Sequence, residues 1–283
     1  MIAPDGGLRP IVSPQQAGNT MKAAEQKQFR LTVLGSGTCV PDKLRFPASY
    51  HLKRLRSNYG WLIDLGSGAL QRLAEVGESY RDLSHVFVSH RHPDHIASLL
   101  PLLQALLYSP GFQRTELLRV YGPSPVQEYL EANLNIMPEL RPTFPFQFFN
   151  IEDRQSVLCE DCKVQIFALK HSGLTLGFRF TANDKTVAYG ADTGPCTSLV
   201  ELAQDADLAI FEASFRAEHS TSGHMTTLQA GEMAAAANVK RLLISHFYPE
   251  VVTLSIDALQ NEIRQSGYLG EILIARDLMQ IEI

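Results

Sequence analysis

Short apolar runs ending in glycine-bearing turns recur from residue 29 onward, alternating with segments whose apolar residues fall at helical spacing. Phe29 to Leu34 reads as a strand followed by the turn Gly35-Ser36-Gly37-Thr38. Trp61-Leu62-Ile63 is a second strand, closed by Asp64. Leu70, Leu73 and Ala74 share one face of a helix over residues 69–76. His85 to Ser89 is strand-like, and the apolar spacing from Ile96 to Leu107 predicts a helix that tolerates Pro101 near its start. Further buried strands are expected at 118–121, 164–169, 186–189, 208–211 and 242–244, with a hairpin across 164–181. Thr226 and Gln229 have capping-box spacing and open an alanine-rich helix running through Ala237. Strands and helices that alternate twice over predict an α/β fold of mixed sheets covered by helices.

The chain has 283 residues, 45% hydrophobic and 19% charged, enough for a sizeable core. Its net charge of −5 lacks the basic field that most nucleic-acid binders carry. No apolar run is long enough for a transmembrane helix, and a cytoplasmic protein is expected. Residues 1–28, rich in Pro, Gly, Gln and Ala without a secretory pattern, are expected to form a flexible tail, with Met21 a second candidate start. Residues 29–283 would then form the working domain. Cys159 and Cys162 have redox or zinc spacing, but no second ligand pair follows, so they read as turn residues. Lys53, Arg54 and Arg56 read as a solvated hairpin tip.

The chemistry concentrates in Ser89-His90-Arg91-His92-Pro93-Asp94-His95. Residues two apart in an extended segment point the same way, so His90 and His92 can grip one cation. Asp94 and His95 stand where the chain turns into a helix and point elsewhere, towards a second. Imidazole and carboxylate donors suit zinc, manganese or iron. His171, Asp192 and His246 each stand just past an apolar strand, as His90 does. Side chains at equivalent strand ends gather on one edge of an α/β sheet. His51 and His85, with no motif around them, read as structural histidines.

The order His-x-His-x-Asp-His, then His, Asp and His, resembles the metallo-β-lactamase superfamily. Its ribonuclease Z branch is the closer likeness, through Lys170-His171-Ser172-Gly173, Gly190-Ala191-Asp192-Thr193, Phe211-Glu212-Ala213, Gly223-His224-Met225-Thr226 and Ser245-His246-Phe247. The resemblance implies a four-layer αββα sandwich, two mixed sheets with helices outside. It implies two divalent metal ions, zinc first and manganese or iron as alternatives. One would be held by His90, His92, His171 and Asp192, the other by Asp94, His95, Asp192 and His246, with hydroxide activated between them. Asp64 resembles the buried aspartate behind the ligands, where it could orient an imidazole. Asp94 would aim the attacking water. His224 would protonate the leaving oxygen and Glu212 would hold it. Met225 stands where the branch has serine. His219, in the same loop, is a weaker candidate for the acid. Homodimers are common in the branch.

Ribonuclease Z enzymes carry a long arm for tRNA between the positions of His171 and Asp192. Here only residues 172–191 separate them, enough for a hairpin. A small or cyclic phosphodiester is therefore the expected substrate, with tRNA 3′ processing the alternative. Hydrolysis of a thioester or lactam and a non-catalytic binding module are the rival classes. The Glu212/His224 pair argues against the first, and the filled ligand positions against the second.

Overall fold

The computed structural model describes residues 27–56, 60–219 and 222–283. The first half contains β1 (Phe29–Gly35), β2 (Ser49–Arg54), β3 (Gly60–Leu65), α1 (Ala69–Glu75), β4 (Leu83–Phe87), α2 (Pro93–Ile96), α3 (Leu99–Tyr108), β5 (Leu118–Gly122), α4 (Ser124–Ile136) and β6 (Phe146–Asn150). The second half contains β7 (Ser156–Cys159), β8 (Cys162–Leu169), β9 (Thr175–Ala182), β10 (Lys185–Tyr189), α5 (Thr197–Ala203), β11 (Leu208–Glu212), α6 (Thr227–Ala236), β12 (Arg241–Ser245), α7 (Ile256–Arg264), β13 (Glu271–Ile274) and β14 (Gln280–Glu282).

These strands form two mixed seven-stranded sheets, ordered β14-β1-β2-β3-β4-β5-β6 and β13-β12-β11-β10-β9-β8-β7. In the first, pairing is antiparallel from β14 to β3 and parallel from β3 to β6. The second repeats the scheme, antiparallel from β7 to β10 and parallel from β10 to β13. The inner strands β3, β4, β10 and β11 bury both faces, which is why they read as continuous apolar runs. Within β3, Trp61 and Ile63 enter the core between the sheets, while Leu62 and Leu65 join the layer under the first-half helices. Trp61 of one sheet stacks on Phe180 of the other at 6.0 Å between centroids, and Phe87 meets Phe180 edge-on at 5.2 Å. Each such large buried side chain contributes about 2–3 kcal/mol of hydrophobic stabilisation. The outcome is the expected αββα sandwich.

Several local expectations change. The helix expected over 96–107 is two, α2 and α3, broken at Ala97-Ser98. Pro101 has no N–H for the Ala97 carbonyl, and its ring would clash there, so the regular helix restarts two residues before it. Arg54 is not a solvated tip: it is 1% exposed, bonded to Asp161 and to the Gln28 carbonyl. Lys53 pairs with Glu78 at 2.8 Å. Cys159 and Cys162 flank a two-residue turn as a cross-strand pair, and both are buried and free. The expected tail falls outside the described residues up to 26, Met21 included, but Gln28 is buried and bonded to the Ile283 carbonyl. Strands β2, β6, β7, β13 and β14 and helices α4, α5 and α7 were not anticipated. Among the described residues no helix is long and apolar enough to cross a membrane.

Candidate metal centre

The C-terminal ends of β4, β8, β10 and β12 meet at one edge of the sandwich. His90, His92, Asp94 and His95 follow β4, the last two inside α2, whose first position is Pro93. His171 follows β8, Asp192 follows β10 and His246 follows β12. Two turns leave these strand ends through positive φ at non-glycine residues: Ala191 at 43° and His246 at 57°. Asp64, at the end of β3, has φ 52°. Such backbone costs on the order of 1 kcal/mol each and concentrates at functional edges.

All seven expected ligand residues converge. Atoms of His90, His92, His171 and Asp192 lie within 4.8 Å of one another, as do those of Asp94, His95 and His246. Asp192 stands between the groups. Its Oδ2 is 3.9 Å from Nε2 of both His90 and His171, while its Oδ1 is 3.3 Å from Nε2 of both His95 and His246. Asp94 Oδ2 lies 3.5 Å from His246 Nε2 and 3.7 Å from His95 Nε2.

Four outward-facing ring nitrogens are held, and this sets the tautomers. Ser89 Oγ donates to Asp64 Oδ2, so at 2.9 Å it accepts the Nδ1 proton of His90. His95 Nδ1 donates to Asp64 Oδ2 at 2.7 Å, and His171 Nδ1 to the Gly223 carbonyl at 2.7 Å. Gly223 sits at φ +85°, where a side chain would strain that carbonyl's placement. Ser214 Oγ donates to Glu212 Oε2 and accepts from His246 Nδ1 at 3.0 Å. In their neutral forms all four histidines turn an Nε2 lone pair inward.

These inward atoms suit a divalent cation. His95 Nε2 and His246 Nε2 are buried with no hydrogen-bond partner. His90 Nε2 and His92 Nδ1 face each other at 2.9 Å. Burial pulls the His95 imidazole down, but the carboxylates of Asp192 and Asp64 outweigh it and raise it well above its ordinary value. Burial raises Asp94, yet the hydrogen bond with His246 and the charge of His95 bring it to about 2. Burial instead drives His90 well below the ordinary imidazole value. Buried carboxylates that demand positive charge beside an imidazole, that of His90, which resists protonation are better served by a metal than by protons.

His224 lies beside this cluster, its ring 4.9 Å from that of His171. Its Nδ1 donates to Glu212 Oε1 at 2.9 Å. Burial lowers the imidazole, but the Glu212 hydrogen bond and charge reverse this and leave it raised. Glu212 is 2% exposed and also accepts from the Thr193 and Met225 amides. Met225 thus contributes through its backbone and a fully buried side chain, so the serine of the resembled motif is not needed for the Glu212 contact. His219 is more remote, exposed and 3.7 Å from Glu250. His51 and His85 lie buried away from the site. A cavity of about 280 Å³ opens over the cluster, with Cys39, Ser172, Ser222 and Tyr248 in its wall. None of these four was singled out from sequence, nor were the anchoring hydroxyls of Ser89 and Ser214 and the Tyr189 phenol on Asp64. Ser89 directly precedes His90, the one hint available.

Two helix-covered mixed sheets with this edge define a metal-dependent hydrolase of the metallo-β-lactamase fold. The chain belongs to the beta-lactamase superfamily: the profile described as "Beta-lactamase superfamily domain" matches residues 59–247. It is 24% identical to the Ribonuclease Z of Acaryochloris marina, covering 84% of this chain and 92% of that one. It is 28% identical to the Ribonuclease Z of Ignicoccus hospitalis, covering 78% and 88%. Among solved structures, the metallo-beta-lactamase fold protein YhfI from Bacillus subtilis superposes with a TM-score of 0.77 at 25% identity, over 90% of this chain and 100% of that one. The fold family implies divalent metal ions.

Proposed function

We propose that this chain is a dinuclear, zinc-preferring phosphodiesterase acting on a small or cyclic phosphodiester. The observation that carries this is Asp192, which directs one oxygen to His90 and His171 and the other to His95 and His246. His90, His92, His171 and Asp192 would hold one ion. Asp94, His95, Asp192 and His246 would hold the second. Five imidazoles and two carboxylates favour zinc over harder ions, manganese and iron being the alternatives. When bound, the ions supply Lewis acidity to the phosphoryl oxygens and to the attacking water.

The protein's own groups supply the rest. Asp94, kept ionised, accepts a hydrogen bond from the water and orients it. His224 delivers a proton from Nε2 to the leaving oxygen. Glu212 holds the opposite nitrogen, fixes the tautomer and shifts the ring towards its protonated, proton-donating form. An alkoxide leaving group needs such an acid and a thiolate does not, which favours a phosphoester over a thioester. The chain between His171 and Asp192 is taken up by β9, β10 and their turn, so no arm for a folded RNA extends there. Cleavage of tRNA is the second reading, supported by the relatives named Ribonuclease Z. Four free thiols accord with a reducing, cytoplasmic location.

The experiment is a metal-reconstituted panel of bis(p-nitrophenyl) phosphate, cyclic nucleotides, precursor tRNA, a lactam and a thioester, with metal content measured alongside. Two ions per chain and turnover of the small phosphodiesters are expected. Cleavage of precursor tRNA alone would transfer the assignment to the second reading. Lactam or thioester turnover alone, or a protein that retains no metal, would overturn both.

A further inference from the structure

Among the described residues lining the cavity over the cluster, Tyr248 supplies the one aromatic ring apart from the histidines. Phe215 backs it, with centroids 5.0 Å apart and planes inclined by 18°. Beyond Phe215 lies the His219 ring at 5.8 Å. Both aromatic rings meet the His224 imidazole edge to face, at 80° and 75°. The backbone of Phe215 is tied on both sides, its N–H to the Met225 carbonyl and its carbonyl to the Thr227 amide. Tyr248 Oη approaches Cys39 Sγ at 3.7 Å, closing the same wall. Tyr248 is thus half-buried and open to the cavity, with half-buried Phe215 packed behind it, and no hydrolytic step described above uses either ring.

An aromatic ring fixed at the mouth of a polar cavity offers a face on which another planar ring stacks. We infer that Tyr248, backed by Phe215, is a stacking platform for a planar aromatic ring carried by the substrate, a nucleobase or an aryl group. Because both rings pack on His224, the stacked ring belongs on the leaving-oxygen side of the phosphorus. The inference rests on the phosphodiester reading and narrows it.

The test is calorimetric titration of the metal-loaded protein with four phosphate monoesters: adenosine 5′-monophosphate, phenyl phosphate, ribose 5-phosphate and methyl phosphate. Each ring-bearing ligand is expected to bind about tenfold or more tighter than its ringless partner. Tyr248→Leu should abolish that advantage and Tyr248→Phe should keep it. An advantage confined to the nucleotide identifies a nucleobase as the ring; one shared by phenyl phosphate identifies any aryl group. Equal binding with and without the ring refutes the platform while leaving the phosphodiester reading intact, and the wild-type comparison alone decides this should the leucine variant not fold. An advantage that survives in Tyr248→Leu also refutes it. Failure of all four ligands to bind removes the phosphodiester reading and the platform together.

Discussion

Replacing Asp64 by Asn should cost this protein about 3–5 kcal/mol and weaken its hold on metal. The carboxylate is fully buried and accepts four hydrogen bonds. They come from the Ser89 amide (2.7 Å) on Oδ1, and from Ser89 Oγ (2.7 Å), His95 Nδ1 (2.7 Å) and the Tyr189 phenol (2.5 Å) on Oδ2. An asparagine must place its NH₂ at one of those two oxygens. At the less damaging Oδ1 it confronts the Ser89 N–H donor to donor, leaving a buried donor unsatisfied at about 1–3 kcal/mol. The three remaining bonds lose their charge assistance, which roughly halves their strength. The backbone adds nothing, because φ 52° suits Asn as well as Asp. Asp64→Ala would add about 1–2 kcal/mol of left-handed strain. Urea unfolding followed by Trp61, the single tryptophan, reads the loss as a fall of the midpoint by about 1 M or more. Metal affinity should drop about 10- to 100-fold as the bond that orients the His95 ring loses its charge. A midpoint and a metal affinity both unchanged in Asp64→Asn would refute this account of how the site is braced.

His224→Gln should lower kcat about 10²- to 10⁴-fold on a dialkyl phosphodiester and far less on a p-nitrophenyl ester, whose leaving oxygen needs no proton; kcat against leaving-group pKa measures this. Burial depresses both His51 and His85 to about 4. The unfolded chain, with imidazoles near 6.5, therefore binds protons first, and stability present above pH 6.5 is lost as the pH falls towards 4. The loss approaches about 3 kcal/mol per histidine. Urea midpoints at pH 7.5 and 4.5 should show it, with a shallower slope in His85→Gln. Thr226→Ala, which removes the side chain that caps the Gln229 amide at 3.2 Å, should cost about 1 kcal/mol in the same unfolding assay.

The candidate ligands were legible as a cluster because their signals are local. Four crowd into residues 90–95, and His171, Asp192 and His246 each end an apolar run. The two faces of the buried strands were legible for the same reason, and so was the four-layer arrangement once the resemblance was drawn. Arg54 could not be read from its neighbours, since its burial depends on Asp161, far along the chain. Nor could the helix break, a competition between favourable apolar spacing and one missing N–H. The braces of the site were hidden too. Ser214 matters because its single proton goes to Glu212 and leaves an acceptor for His246, an allocation visible only in three dimensions. Positive φ at Asp64, Ala191 and His246 carries no glycine to announce it.

The division of the donors between the two sheets has a consequence for how the molecule assembles. His90 to His95 belong to the first sheet's edge, and His171, Asp192 and His246 to the second's, so each proposed cation draws two donors from either half of the chain. Neither half can chelate tightly alone. Tight cation capture is therefore expected only once the halves have docked, as a rivet follows the plates, and the time course of metal uptake during refolding would report the docking itself.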